Sequence, residues 1–439
     1  MIHLCCAGFD EKKTYGNAMK FEKYPISDVL KDNLSRLGFV KTTDIQFKAI
    51  PSIMAGEDVL AIAQTGTGKT AAFAIPIINQ IDQWKRSQRS NGIQCIVMVP
   101  THELAMQIGE VFAQFSKQTK VKVFAMYGGV EQDPQIQTLQ KGIDVLITTP
   151  GRLFDLISQG YVLLDRVQTL VLDEADHMLD LGFIGDIHAI KTKLPHKHQT
   201  LFFSATINAD IKKLAYSQVR KSAIRIQISP DNRVSNNVSH YVMFVEMDDK
   251  RFFLERFMTD NPESRVIVFV RTRVRAERVA KAMGRVEIGT LTIHGEKDQS
   301  DRAEVMNAFK AGACQILIAT DVSARGIDIP DVHYVLNYDL PDKAENYVHR
   351  VGRTGRGVKK GMAISFCSKE EKSGLEEIQG FLDQEIDVIE VTKKDYAFTV
   401  THPSGEHSLE ELLKEIEEEE EEKRKKNKKR NPQKRKKKT

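Results

Sequence analysis

Two short stretches bring together the residue types that polyphosphate chemistry needs. In AQTGTGKT, residues 63 to 70, an apolar run gives way to a glycine-rich turn and then to a segment with helical spacing. Gly66 and Gly68 let a backbone approach phosphate, with Thr65 and Thr67 completing the loop. Lys69 can reach β and γ phosphates, and Thr70 can ligate magnesium at a helix N-terminus. Ala63 stands where the usual pattern begins with glycine, and a plain glycine-rich turn is the competing reading. In TLVLDEADHMLD, residues 169 to 180, Asp173, Glu174 and Asp176 follow directly on the apolar Thr169–Leu172, where a carboxylate without a partner is costly. Alone, such a tetrapeptide reads as a surface turn. Beside a phosphate loop it reads otherwise: Asp173 would share the magnesium of Thr70, and Glu174 would orient or deprotonate an attacking water.

These residues need strands to hold them. Consecutive apolar runs at 58–63, 95–99, 121–127, 144–149, 169–173 and 200–204 have the composition of parallel strands buried on both faces, with room between them for crossover helices. After the polar stretch SPDNRVSNNVS, 229 to 239, the pattern restarts with runs at 265–270, 289–294, 314–321, 332–338 and 361–367. The expected fold class is α/β, with two doubly wound domains in tandem.

At 439 residues the chain exceeds one typical core. Hydrophobic residues at 41% and charged residues at 28% fit a globular protein, and no apolar run reaches membrane-spanning length. The five cysteines show no metal spacing, and no cleavable signal is evident, so a cytoplasmic location and no membrane partner are expected. The net charge of +4 is uneven: from Lys423 onward there are 12 Lys or Arg and no acid, leaving 52 basic against 60 acidic residues before it. Between the body and that cationic end, Ser408 and Glu411 form a capping-box pattern, with Leu409, Leu412, Leu413 and Ile416 at helical spacing. A short helix running into a disordered tail is expected.

DEAD at 173–176, SAT at 204–206 and HRVGRTGR at 349–356, in this order behind AQTGTGKT, resemble the motifs of the DEAD-box RNA helicases, a branch of superfamily two. The resemblance covers roughly residues 20 to 390, and within the family the body is most similar to the bacterial RhlE-type branch. Residues 1–18 lie outside it, and Met19 is a candidate start. The division expected is an extension 1–20, a RecA-like ATP-binding domain 21–228, a linker 229–239, a second RecA-like domain 240–390 and a charged tail 391–439.

The resemblance implies two RecA-like domains that close over ATP and single-stranded RNA, open short duplexes locally and release RNA after hydrolysis. It makes Lys69 and Thr70 ligands of phosphate and magnesium, Asp173 a metal ligand and Glu174 the catalytic base. Asp176, Ser204, Thr206 and His349 would couple nucleotide state to closure. GFVKTTDIQ, 38 to 46, resembles the family's adenine-reading motif, with Gln46 on the base edge and Phe21 as the stacking aromatic; Thr43-x-x-Gln46 is equally a helix capping box, and both roles stand together. Thr42 occupies the place of the family's proline. Arg353 and Arg356 match the arginine fingers, and Asp328 the ribose contact. RNA contacts would fall on Pro100, Thr101, Gly129, Thr149, Gly151 and Arg152 in the first domain, and on Arg271, Gln299, Arg302, Thr320 and Arg325 in the second. They would bind phosphates and 2′-hydroxyls without reading bases. His102 stands where the family usually has Arg, and Arg271 where it often has Asn. ATP and Mg2+ are the implied cofactors and RNA the implied partner of a monomeric core. The alternatives are an ATP-gated RNA clamp without unwinding and a DNA-directed helicase.

Overall fold

Stretches that are apolar at every position bury both faces only in the middle of a layered sheet, and that is where they lie. The computed structural model describes residues 19–64, 66–87, 92–195, 197–228, 237–324, 329, 332–355 and 360–401. The chain divides into two compact units, with the main division between Arg233 and Val234.

The first unit holds strands β1 (Val59–Ile62), β2 (Cys95–Met98), β3 (Val123–Met126), β4 (Val145–Thr148), β5 (Thr169–Leu172), β6 (Gln199–Ser204) and β7 (Ile224–Gln227) in the order β3-β4-β2-β5-β6-β1-β7, all parallel. All residues of β1, β2, β4, β5 and β6 are buried, as their composition predicts. Helices pack on both faces and divide the core into two apolar clusters, one on each side of the sheet. The strand order has a direct consequence for chemistry. β5, β6 and β1 are neighbours, so the segments leaving their C-terminal ends, Asp173–Asp176, Ser204–Thr206 and the glycine loop, emerge side by side, where ligands bind in open parallel sheets.

The second unit repeats the plan with β8 (Val238–Phe244), β9 (Val266–Phe269), β10 (Leu291–Ile293), β11 (Ile316–Ala319), β12 (Tyr334–Asn337), β13 (Gly361–Cys367) and β14 (Asp387–Val388), again parallel, in the order β10-β11-β9-β12-β13-β8-β14. β7, β8 and β14 were not among the expected strands. Only one residue of β7 is buried and both residues of β14 are exposed, so an apolar run could not reveal them. β8 begins at Val238, inside the segment expected to be linker, because it pairs along its whole length with β13. The helix Lys393–Thr401 lies inside the segment expected to be tail. Tyr396 packs on Phe253 with ring centroids 5.0 Å apart and donates to Asp249 Oδ2 at 2.8 Å, while Arg256 Nη1 donates to Thr399 Oγ1 at 2.7 Å. The folded second domain therefore runs on to Thr401. The helix expected from Ser408 and the cationic tail lie outside the described residues.

Candidate active site

β1 ends at Ile62, and the chain turns through the glycine loop into the helix Lys69–Ser87. Gly66 and Gly68 sit at φ 81° and 92°, backbone that a Cβ disfavours, and Thr67 Oγ1 ties the turn by donating to Gln64 O at 2.7 Å. Lys69 is 7% exposed, and its Nζ has no hydrogen-bond partner among the described residues. A buried ammonium at the mouth of an amide-rich loop, where a helix starts, is complementary to a polyphosphate.

Asp173 follows β5, its amide held by Met98 O at 3.1 Å. Burial pushes its carboxyl up to about 6, against the pull of the Lys69 ammonium, and the Glu174 charge adds to the rise. Its Oδ1 accepts from Glu174 N at 3.0 Å. Glu174 itself occupies the left-handed region, φ 52° and ψ 48°, at the start of the helix Ala175–Asp180. A side chain held there costs about 1 to 3 kcal/mol, strain of the kind that collects at functional turns. Asp176 turns toward β6 instead: its Oδ2 accepts from Thr206 N at 3.1 Å and Thr206 Oγ1 at 3.0 Å, and Ser204 Oγ donates to Thr206 O at 2.8 Å. Asp176, Ser204 and Thr206 thus form one bonded link between the ends of β5 and β6.

Gln46 forms the capping box its spacing allows and makes a further bond to the phosphate loop. Its Oε1 accepts from Thr43 N at 3.0 Å, closing the capping box of the helix Asp44–Met54, and its Nε2 donates to Gly68 O at 3.2 Å, fastening that helix to the phosphate loop. Thr42 offsets the missing proline with bonds: Met19 N donates to its Oγ1 at 3.1 Å, its own hydroxyl donates to Met19 O at 3.2 Å, and its amide donates to the same carbonyl. Phe21 departs from expectation. It is 3% exposed, with its ring centroid 6.0 Å from Tyr24 and 6.4 Å from Phe39, inside the domain core. The ring is thus packed into the core here rather than presented as an open stacking platform.

The first-domain loops expected to meet RNA begin at strand ends. Pro100 and Thr101 follow β2, and Thr101 Oγ1 caps the helix His102–Phe115 by accepting from Leu104 N at 3.3 Å. The His102 ring stacks on Tyr127, centroids 5.6 Å apart, beside Gly128 and Gly129. Thr149 and Gly151 open the helix Pro150–Ser158, and Arg152 Nη2 donates to Val130 O at 2.8 Å, bracing the Gly129 loop from the neighbouring segment.

In the second domain His349 lies on the helix Ala344–Val351 and Arg353 just beyond it; Arg353 is buried and its Nε donates to His349 O at 3.2 Å. Arg350, between them, is a pillar that sequence reasoning passed over. Its guanidinium is fully buried on Asp321, with Nη2 to Oδ2 at 2.8 Å, donates to Asp339 O at 2.6 Å, and lies 5.1 Å over the Phe269 ring. Arg302 Nη1 reaches Ser323 Oγ at 3.4 Å, and Thr320 Oγ1 reaches the same hydroxyl at 3.3 Å, so these two residues expected to meet RNA lie together. Arg271 is paired within its own domain: Nε with Asp342 Oδ1 at 3.0 Å and Nη2 with Glu371 Oε1 at 3.3 Å. Two carboxylates hold the guanidinium that was expected to meet RNA, and its side chain remains 42% exposed. Gln299 begins the helix Gln299–Lys310. Thr65, Arg325, Asp328 and Arg356 lie outside the described residues.

Comparison with known proteins decides the family. Residues 43–214 match the DEAD/DEAH box helicase model and residues 249–358 the helicase conserved C-terminal domain. The DEAD-box ATP-dependent RNA helicase CshA of Bacillus cereus is 38% identical over 377 residues, which cover 86% of this chain and 71% of that protein; CshA of Bacillus subtilis is 39% identical over 84% of this chain and 73% of its own. This chain is a DEAD-box RNA helicase. Solved structures agree: Dbp5 of S. cerevisiae bound to RNA and ADP BeF3 is 29% identical with a TM-score of 0.77, covering 88% of this chain and all of that one. The helicase Mss116 bound to ssRNA and UDP-BeF is 26% identical with a TM-score of 0.77, covering 90% of this chain and 84% of that one. The two parallel sheets are the tandem RecA-like domains of the family. The helicase is thus similar to CshA proteins, and the narrower RhlE-type expectation rests on the motif resemblance alone. Among the described residues no helix is long and apolar enough to cross a membrane.

Proposed function

We propose that this RNA-dependent ATPase and helicase binds ATP with magnesium at the ends of β1, β5 and β6, with Glu174 as general base, and works in the cytoplasm. The observation that carries the ATP site is the buried Lys69 ammonium without a hydrogen-bond partner among the described residues, beside a glycine loop and a carboxyl pushed up to about 6. A group that costs stability when left alone is satisfied by phosphate oxygens. Thr70 and Asp173 would hold magnesium, which when bound supplies charge neutralisation on the phosphates.

The loop amides and Lys69 orient the triphosphate, and Gln46, bonded to Thr43 and Gly68, reads the adenine edge by family resemblance. Glu174 accepts a proton from water as the water oxygen attacks the γ-phosphorus and the bond to the β-phosphate oxygen breaks, leaving ADP and phosphate. Arg353 and Arg356, by family resemblance, stabilise charge on the transferring phosphoryl group. Asp176 through Thr206 passes a shift at the phosphates to the end of β6. Thr101, Gly129, Thr149, Arg152, Arg302 and Thr320 offer hydroxyls, amides and guanidinium groups suited to a sugar-phosphate backbone; the RNA carried by Dbp5 and Mss116 supports that reading. ATP turnover measured without nucleic acid, with RNA and with DNA, alongside displacement of a short RNA duplex, tests the whole. Glu174→Gln should keep ATP and RNA binding and lower turnover by about 10² to 10⁴. Turnover within about twofold of wild type would remove Glu174 from the mechanism.

A further inference from the structure

Directly after the acidic motif stands a histidine with no surface role. His177 lies one turn along the helix Ala175–Asp180 from Glu174 and is 2% exposed. Neither ring nitrogen makes a hydrogen bond among the described residues, and Nδ1 stands 3.5 Å from Glu174 Oε2. An imidazole in either neutral tautomer carries one N–H donor and one bare nitrogen, and burying both unmet is unfavourable, whereas a Leu or Met of similar volume would fill the space without that cost. A polar ring held dry and unsatisfied, with one nitrogen just beyond bonding reach of a carboxylate, makes sense if the bond forms in the working state. Hydrogen bonds of ligand-free active sites are often long and tighten when substrate is present.

We propose that His177 is a positioning residue for Glu174: Nδ1–H donates to Oε2 once nucleotide and water are in place, and so turns the second carboxylate oxygen toward the attacking water. This rests on Glu174 being the base. The left-handed backbone at Glu174 makes such a brace useful, because the residue begins its helix from an unusual conformation, with Asp173 Oδ1 holding its amide from below. The i, i+3 spacing puts the two side chains on one side of the turn.

The test uses the full chain at saturating short RNA. His177→Ala should lower kcat by roughly 10- to 100-fold, the scale of a misplaced catalytic group, while KM for ATP and affinity for a non-hydrolysable ATP analogue stay within about threefold. His177→Asn should recover most of the rate, because its amide nitrogen hangs from Cγ as Nδ1 does. His177→Gln should not, because its amide lies one bond further out, at the place of Nε2. In a Glu174→Gln background, His177→Ala should change the residual single-turnover rate by less than about twofold. Equal losses in both backgrounds, an unchanged kcat in His177→Ala, or Gln rescuing as well as Asn would overturn the proposal. If the Ala variant fails to fold, as its melting temperature would reveal, the Asn and Gln pair decides by the same criterion. Full turnover by Glu174→Gln alone would instead remove the base, a failure distinct from failure of the brace.

Discussion

Replacing Gly68 with Ala should damage the phosphate loop far more than the same change at Gly66, and the structure says by how much. Both glycines have positive φ, 81° at Gly66 and 92° at Gly68. A Cβ at Gly66 meets nothing within 4 Å, so only backbone strain is added, about 1 to 2 kcal/mol. At Gly68 the new carbon would lie 2.4 Å from Gln46 Nε2, 3.3 Å from Gln46 Cδ and 3.2 Å from Thr43 Oγ1. Gln46 is buried and held at both ends of its amide, so it cannot swing aside freely. Moving it forfeits the capping box, about 1 kcal/mol, and leaves a buried amide unsatisfied, about 1 to 3 kcal/mol. Gly68→Ala should thus cost about 2 to 4 kcal/mol beyond Gly66→Ala. The chain's single Trp, Trp84, lies on the helix that leaves the loop, so denaturant unfolding followed by its fluorescence reads the first domain alone. Adding Gln46→Ala to Gly68→Ala removes the clash, and the pair should cost less than the sum of its members by about 2 kcal/mol. Equal losses at the two glycines, or strict additivity with Gln46→Ala, would refute the claim that Gln46 is locked onto the loop.

Arg356→Ala should lower kcat by about 10³ or more with far less change in ATP affinity, and an isolated first domain hydrolysing ATP as fast as the full chain would rule out a catalytic contribution from the second. His240 Nδ1 lies 3.0 Å from Tyr347 Oη, and burial depresses the ring to about 4, with Asp387 opposing. The unfolded chain takes up that proton first, so stability of the second domain should fall as pH drops from about 6.5 to 4, by about 3 kcal/mol, and His240→Gln should flatten the dependence in denaturant titrations at stepped pH. Deleting residues 423–439, a cationic run without an aromatic, should weaken RNA binding evenly across sequences and reduce the slope of log affinity against log salt by about 0.7 for each phosphate the run neutralises; identical slopes would show that the run does not touch RNA.

The sequence showed which residue types carry chemistry, because the phosphate loop, the acidic tetrapeptide and the serine-threonine turn are local patterns flanked by apolar strands. It could not show that β6 lies beside β5, although that adjacency is what sets Thr206 against Asp176. Gln46 was half legible: its capping box spans three residues and can be read from spacing, but the bond to Gly68 joins positions 22 apart. The packing of Phe21 was not legible either, since Tyr24 and Phe39 lie against its ring and burial is not written in a single residue.

Departures from a family pattern teach the sharper lesson. Thr42 in place of proline reads as a loosened loop until Met19, 23 residues earlier, supplies the bonds that pin it. Arg271 in place of asparagine reads as an altered RNA surface until Asp342 and Glu371 are seen to hold it. Glu371 also takes the fully buried Lys250 at 2.5 Å and the Leu340 amide at 3.1 Å. Removing Arg271 would therefore disturb a buried charge network rather than a free cation. An Arg271→Asn variant that restores the family's residue would leave the buried Glu371 carboxylate with one cation fewer, and an imbalance of charge at a buried carboxylate is costly. A substitution can be judged against its family only once its partners are known, and for both residues those partners lie far along the chain.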